Sequence, residues 1–198
     1  QVDLDRVARN VAEFLVALHA YPVGEAPQLG NLEPKNVEVL GQEAIPLLRT
    51  HLSESEYETI TSWWKWYPTD ATKEYFHPKL IHGDLWCENI ILNETLDRVV
   101  GVVDWESVAT GDVAWDFVAQ KYVGNAFLSQ VIGHYQTLGG ELGNNFDARL
   151  RGLSLLRELG GFLYAVRHPE SGELEDALQK IRDEIRLIDG LTVTKISD

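Results

Sequence analysis

The stretch from Leu80 to Asp104, LIHGDLWCENIILNETLDRVVGVVD, constrains this chain more than any other. A short apolar lead-in, Leu80-Ile81, runs into His82-Gly83-Asp84, and Asn89 follows five residues after the aspartate. Two β-rich runs come next, Ile90-Ile91-Leu92 and Val99 to Val103, the second ending on Asp104. The turn formers between them, Asn93 to Arg98, predict a small antiparallel hairpin. Such a hairpin carries Asp104 back to the end that holds Asp84 and Asn89. Three oxygen-bearing side chains then face one point, and hard oxygen donors suit a magnesium ion and a phosphoryl group.

Around this stretch the pattern is helical. Asp3 is placed to cap a helix with Leu4, Val7, Val11, Phe14, Leu15 and Leu18 on one face, stopping near Tyr21-Pro22. Val23 to Asn36, punctuated by Gly24, Pro27, Gly30 and Pro34, predicts a connecting loop. Val37 to Leu52 reads as a helix kinked or broken at Pro46. Ser53 with Glu56 is a capping-box signature and opens a helix carrying Tyr57, Ile60, Trp63 and Trp64. Beyond the hairpin, Asp112 or a neighbour caps a helix through Asp116, Phe117 and Ala119, and a second helix runs from Phe127 to Leu138. A strong stripe from Leu150 to Val166 follows. Gly160-Gly161 weakens it by about 1 kcal/mol per glycine, which predicts close backbone packing there in compensation. His168-Pro169 ends that helix. Ser171 is expected to cap a last helix from Leu174 to Ile188, which Gly190 stops. The fold class expected is mainly α (α+β): a helical domain with a small inserted β-hairpin.

With 198 residues the chain can bury one core or two. Its net charge of −14, from 31 acidic and 17 basic residues, argues against nucleic-acid binding. The same charge suits a cationic small-molecule partner through electrostatic steering, or serves solubility alone. No apolar run reaches the roughly 18–20 residues of a membrane span, and no secretory leader is visible. The single cysteine, Cys87, precludes an internal disulfide and reads as a small filler rather than a reactive thiol. A cytoplasmic protein is the expectation. The absence of methionine and the start at Gln1 point to a processed, excised or trimmed product.

His82-Gly83-Asp84 with Asn89, and Asp104-Trp105-Glu106, are similar to the second half of the protein-kinase signature, H-R-D-x-x-x-x-N and D-F-G. Glycine replaces the arginine and Trp-Glu replaces Phe-Gly. In these forms, and in the continuation Gly111-Asp112-Val113-Ala114-Trp115-Asp116, the chain resembles the aminoglycoside phosphotransferase and choline kinase-like family of small-molecule kinases. The resemblance is specific over about Leu80 to Val118 and loose on either side. It implies the C-terminal lobe of a protein-kinase-like fold over residues 1–198. The catalytic loop and metal hairpin would occupy 80–106, and a helical substrate subdomain about 20–78 and 112–190. In the family a helix ending in a pair like Leu18-His19 follows the nucleotide-binding lobe. No G-x-G-x-x-G, no P-loop and no strand-borne lysine precede it here. The strand-rich N-terminal lobe is therefore expected to be missing from this sequence, and the fragment alone to be inactive.

The resemblance assigns roles that each have a plainer reading. Asp84 is the general base or orients the acceptor hydroxyl; otherwise it is an aspartate in a turn. Asn89 and Asp104 hold Mg2+; otherwise they cap a turn and end a strand. His82 fixes the loop through backbone hydrogen bonds rather than acting in acid–base chemistry. Asp116 braces the catalytic loop, Asp112 caps, and Trp105 and Trp115 pack. Glu106 meets the metal or a substrate amine, or is merely solvated. Trp63 and Trp66, within the cluster Trp63 to Tyr67, could stack on a substrate, although core is the commoner role of such residues. The implied reaction moves the γ-phosphoryl of ATP or GTP to a hydroxyl of a small molecule, an aminoglycoside-type antibiotic or similar cationic compound. The alternatives are a choline, ethanolamine, homoserine, macrolide or sugar kinase, or a non-catalytic ligand-binding domain. Few residues separate Asp104 from Gly111, so no long activation loop, and no control by its phosphorylation, is expected.

Overall fold

The computed structural model describes residues 2–23, 30–31, 34–67 and 76–194. The chain forms two compact units, one of residues 1–32 and 72–150, the other of residues 33–71 and 151–198.

The first unit is built on α1 (Leu4–His19), which starts where Asp3 Oδ1 accepts the Arg6 N–H at 3.2 Å. The three-and-four spacing of Val7, Val11, Leu15 and Leu18 buries one face of α1. That helix packs along α5 (Asn125–Thr137), whose Phe127, Val131 and Tyr135 are buried.

The predicted hairpin is present as β3 (Ile90–Leu92) and β4 (Val99–Val102), antiparallel, with Ile90 opposite Val102 and Ile91 opposite Gly101. Its turn is closed by Asn93, whose Oδ1 accepts the N–H groups of Asp97 at 3.1 Å and Arg98 at 3.0 Å. Hydrogen bonds from Thr95 and Asn93, with the charge of Arg6, hold the Asp97 carboxyl below the usual carboxylate range. The Val99 N–H donates to Asn10 Oδ1 at 3.2 Å and pins the hairpin to α1.

A second sheet has no counterpart in the sequence reading. In it β5 (Ala109–Gly111) lies between β2 (Lys79–Ile81), antiparallel to it, and β1 (Gly30–Asn31), parallel to it. Strands of two or three residues are too short to show an alternating pattern. The sheet matters because β2 leads directly into His82 and β5 follows directly from the turn after Asp104. After β5 comes α4 (Ala114–Val118), continued by a 3₁₀ turn, Ala119–Tyr122. Asp112 Oδ1 accepts the Ala114 N–H at 2.9 Å. Its carboxylate also takes a forked pair from Arg149, Nε to Oδ2 at 2.7 Å and Nη2 to Oδ1 at 3.3 Å. Arg149 further donates to the carbonyls of Leu142 and Asn144, which closes the glycine-rich connection after α5.

The second unit is all helical: α2 (Pro34–Leu48), α3 (Glu54–Trp66), the greater part of α6 (Phe146–Arg167), and α7 (Leu174–Thr194). Its core contains Leu48, Ile60, Leu155, Leu156, Leu159, Phe162, Ile181 and Ile185. The capping box is formed as expected, with Ser53 and Glu56 bonding each other's backbone N–H.

Five expectations need correction here. α2 starts at Pro34, inside the expected loop, and runs through Pro46, which lies two residues from the end and so removes only a terminal hydrogen bond. Ser171 accepts the Glu173 N–H at 3.3 Å, while the Glu173 carbonyl accepts from Ala177, so Glu173 rather than Ser171 occupies the cap position of α7. α7 continues through Gly190 to Thr194, because glycine lowers helix stability without removing a donor. Apart from the adjoining backbone of α6, no described atom lies within 4 Å of a Cβ built on Gly160 or Gly161, so close packing does not explain that pair. Residues 195–198 lie outside the described residues. Among the described residues no helix is long and apolar enough to cross a membrane.

Candidate active site

The segment after β2 is held by its backbone. Asp116, at 0% exposure, accepts the His82 N–H on Oδ2 at 3.0 Å and the Gly83 N–H on Oδ1 at 2.9 Å. The Gly83 carbonyl accepts Trp115 Nε1–H at 2.6 Å, and the Leu85 carbonyl accepts Gln120 Nε2–H at 2.7 Å. α4 and its 3₁₀ extension thus supply three side chains that grip residues 82–85 on both sides of Asp84. Gly83 has φ +81°, and a Cβ there would lie 2.2 Å from the Ser107 carbonyl oxygen. Glycine at this position follows from that approach.

The His82 imidazole is fully buried, and both of its ring nitrogens bond to backbone groups. Its Nδ1 accepts the Asp84 N–H at 3.3 Å, which places the ring proton on Nε2, and Nε2–H donates to the Val103 carbonyl at 3.0 Å. The imidazole thereby links the loop before Asp84 to the strand end before Asp104.

The Asp84 carbonyl accepts Asn89 Nδ2–H at 2.9 Å. The amide is thereby oriented, and Oδ1 is left as its acceptor atom. The Asn89 carbonyl in turn accepts the Val103 N–H at 3.0 Å, so Asp104 is the residue next to a direct bridge to Asn89. Asp104 itself has φ +61°, a left-handed conformation uncommon for a non-glycine residue, and is exposed. Hydrogen bonds thus link the backbone of Asp84 to Asn89, and Asn89 to Val103, the neighbour of Asp104. Glu106 is exposed in the turn that follows.

A magnesium site fits this donor set. Among the described residues no three His, Cys, Asp or Glu side chains gather as an all-protein cage. Mg2+ in nucleotide sites takes only one or two carboxylates, with phosphate oxygens and water completing the shell. One carboxylate at Asp104 and one amide oxygen at Asn89 are donors of that kind.

The aromatic cluster belongs to the second unit. Trp63 stacks on Tyr67 with ring centroids 4.6 Å apart. Trp64 lies over Gly41, where a Cβ would come within 2.1 Å of its ring, and Tyr67 lies over Gly152, where a Cβ would come within 2.4 Å. These contacts lie within the helical packing of that unit. The Trp66 side chain lies outside the described residues.

Sequence reasoning passed over Gln120, placed Tyr135 only on the apolar face of a helix, and took Trp115 as packing. It met His19 only through the resemblance. His19 Nε2 lies 3.1 Å from Asp116 Oδ2, and its Nδ1 lies 2.8 Å from the Tyr135 hydroxyl. The available signal was a polar residue on the apolar face of each helix, which periodicity alone does not interpret.

Viomycin phosphotransferase of Streptomyces vinaceus is 36% identical over 106 residues, 52% of this chain and 36% of that protein. The uncharacterized protein YcbJ of Bacillus subtilis (strain 168) is 28% identical over 141 residues, 70% of this chain and 45% of that protein. The chain therefore spans less than half the length of these curated relatives. Among solved structures, the GDP complex of aminoglycoside 2'-phosphotransferase-IIIa superposes with a TM-score of 0.77 at 22% identity, covering 92% of this chain and 62% of that one. Macrolide 2'-phosphotransferase type I superposes with a TM-score of 0.69 at 21% identity, covering 90% and 60%. These likenesses establish the protein-kinase-like C-terminal lobe as the fold. Residues 1–153 match the phosphotransferase enzyme family, and the chain belongs to it.

Proposed function

We propose that the full-length protein is a kinase that transfers the γ-phosphoryl of ATP or GTP to a hydroxyl of a cationic antibiotic of the aminoglycoside kind, in the cytoplasm. The observation that supports this reading is a pair of hydrogen bonds, Asn89 Nδ2–H to the Asp84 carbonyl and Val103 N–H to the Asn89 carbonyl, which link the loop of Asp84 to the strand end before Asp104. Asp84 accepts the proton of the acceptor hydroxyl as that oxygen forms its bond to the γ-phosphorus. The bond from the γ-phosphorus to the bridging oxygen breaks, and the nucleoside diphosphate leaves. Asn89 and Asp104 would hold Mg2+, which when bound supplies charge neutralisation on the phosphates. The net charge of −14 favours capture of a cationic acceptor. The helices after Asp116 are the candidate acceptor surface, and Trp63, Trp66 and Glu106 are separate candidates to meet the acceptor. Adenine or guanine contacts come from a nucleotide-binding lobe, and residues 1–198 alone turn over slowly or not at all.

The test is phosphotransfer by the full-length protein with viomycin and kanamycin as acceptors and both nucleotides as donors. Asp84→Ala is expected to lower kcat by about 10²–10⁴-fold with unfolding temperature unchanged. Equal turnover by wild type and variant removes Asp84 from the chemistry. Binding of these compounds by a wild type without turnover favours a ligand-binding domain instead.

A further inference from the structure

We propose that the Tyr135 hydroxyl is a positioning group for the catalytic loop, acting through His19 and Asp116; this rests on the reading of Asp84 as the carboxylate that faces the acceptor. Tyr135 sits on α5 and is buried. Its hydroxyl lies 2.8 Å from His19 Nδ1, and His19 Nε2 lies 3.1 Å from Asp116 Oδ2. A carboxylate only accepts, so the imidazole proton resides on Nε2 and Nδ1 is the lone pair that takes the tyrosine O–H. Asp116 then offers its two oxygens to the N–H groups of His82 and Gly83, at 3.0 and 2.9 Å. The result is one directed line of hydrogen bonds from α5 to the residue before Asp84.

Packing does not account for the hydroxyl. The ring is placed by Phe117, edge-on with centroids 5.2 Å apart, and by Gly140, where a Cβ would come within 2.3 Å of it. The Gly140 N–H also donates to the Tyr135 carbonyl at 2.9 Å, which fixes the loop over the ring. A phenylalanine fills the same space. Burial, followed by the carboxylates of Glu141 and Asp116, pushes the Tyr135 hydroxyl up to about 12, so it remains a donor at neutral pH. Without it His19 Nδ1 is a buried acceptor with no donor, and the imidazole that steadies Asp116 loses its far anchor.

The experiment compares Tyr135→Phe with Val131→Ala in the full-length protein. Val131 is a fully buried residue one turn earlier on α5 with no polar role. Amide hydrogen exchange at His82 and Gly83 is read by NMR, alongside phosphotransfer with viomycin and kanamycin. Tyr135→Phe is expected to speed exchange at those two amides about tenfold relative to the amides of α5, and to lower kcat about tenfold with KM within twofold. Val131→Ala is expected to lower unfolding temperature more while leaving that ratio and kcat in place. If the two amides stay as protected in Tyr135→Phe as in wild type, or change only in step with α5 as in Val131→Ala, the positioning role is overturned. The exchange measurement needs no acceptor, so absence of turnover in wild type counts against the kinase reading and leaves the exchange result to decide this one.

Discussion

The loop that carries Asp84 and the aromatic cluster of the second unit are both fixed in place, but by different forces. Residues 82–85 are held by directed hydrogen bonds from Asp116, Trp115 and Gln120 to backbone groups. Trp64 and Tyr67 are held by shape, each ring lying over a glycine on another helix. Each region depends on a missing Cβ, yet the atom that fills the space differs: a backbone carbonyl at Gly83, an aromatic ring at Gly41 and Gly152. A ring on a rotatable side chain can be retracted or replaced. A carbonyl in a turn that feeds a sheet strand cannot move without moving the strand. The polar region is therefore expected to be the more brittle of the two.

Substituting the glycines tests that contrast most strongly. Gly83→Ala puts a Cβ 2.2 Å from the Ser107 carbonyl oxygen at φ +81°. The expected cost is about 3 kcal/mol in thermal unfolding, with kcat of the folded protein reduced about 100-fold. Gly41→Ala meets only the Trp64 ring, and the expected cost is about 1–3 kcal/mol. A second change, Trp64→Leu, is expected to recover part of it, whereas no side-chain change relieves Gly83→Ala. Equal rescue in both places would erase the distinction.

Smaller effects sharpen the picture within the second unit. The Ser53 hydroxyl, followed by the Ser53 backbone N–H, holds the Glu56 carboxyl below its ordinary value of 4.5. A depressed carboxyl stabilises the fold above the pH at which the unfolded chain titrates, and that contribution is lost as pH falls through the folded value. Ser53→Ala is expected to cost about 1 kcal/mol at neutral pH, in urea unfolding, with the gap to wild type narrowing below about pH 4.5. The smallest effect has the opposite sign. Gly161→Ala places a Cβ where, apart from the adjoining backbone of α6, no described atom lies within 4 Å, so it is expected to stabilise α6 by about 0.5–1 kcal/mol, read as a raised unfolding temperature. A destabilised variant would show that the glycine pair has a packing role after all.

Much of this architecture was legible residue by residue. Asp3 announced the start of α1, Ser53 with Glu56 announced α3, and the turn from Asn93 to Arg98 announced the hairpin, because each signal is completed within a few residues. The link from the loop of Asp84 through Asn89 to the strand end at Val103 was legible for the same reason, since a hairpin is a local fold whose ends must meet. The three-stranded sheet was not, nor was the grip of Trp115 and Gln120 on the loop.

The sequence by itself determined which segments are helices and where the hairpin turns, because those choices rest on period, capping and turn chemistry between neighbours. Only the tertiary structure decided that β5 pairs with both β2 and β1, that Gly83 lies against Ser107, and that a tyrosine on α5 reaches the catalytic loop through His19 and Asp116. Those pairings join residues far apart in the chain. Their partners are selected by which buried polar groups must be satisfied once the helices pack, and no local pattern encodes that choice.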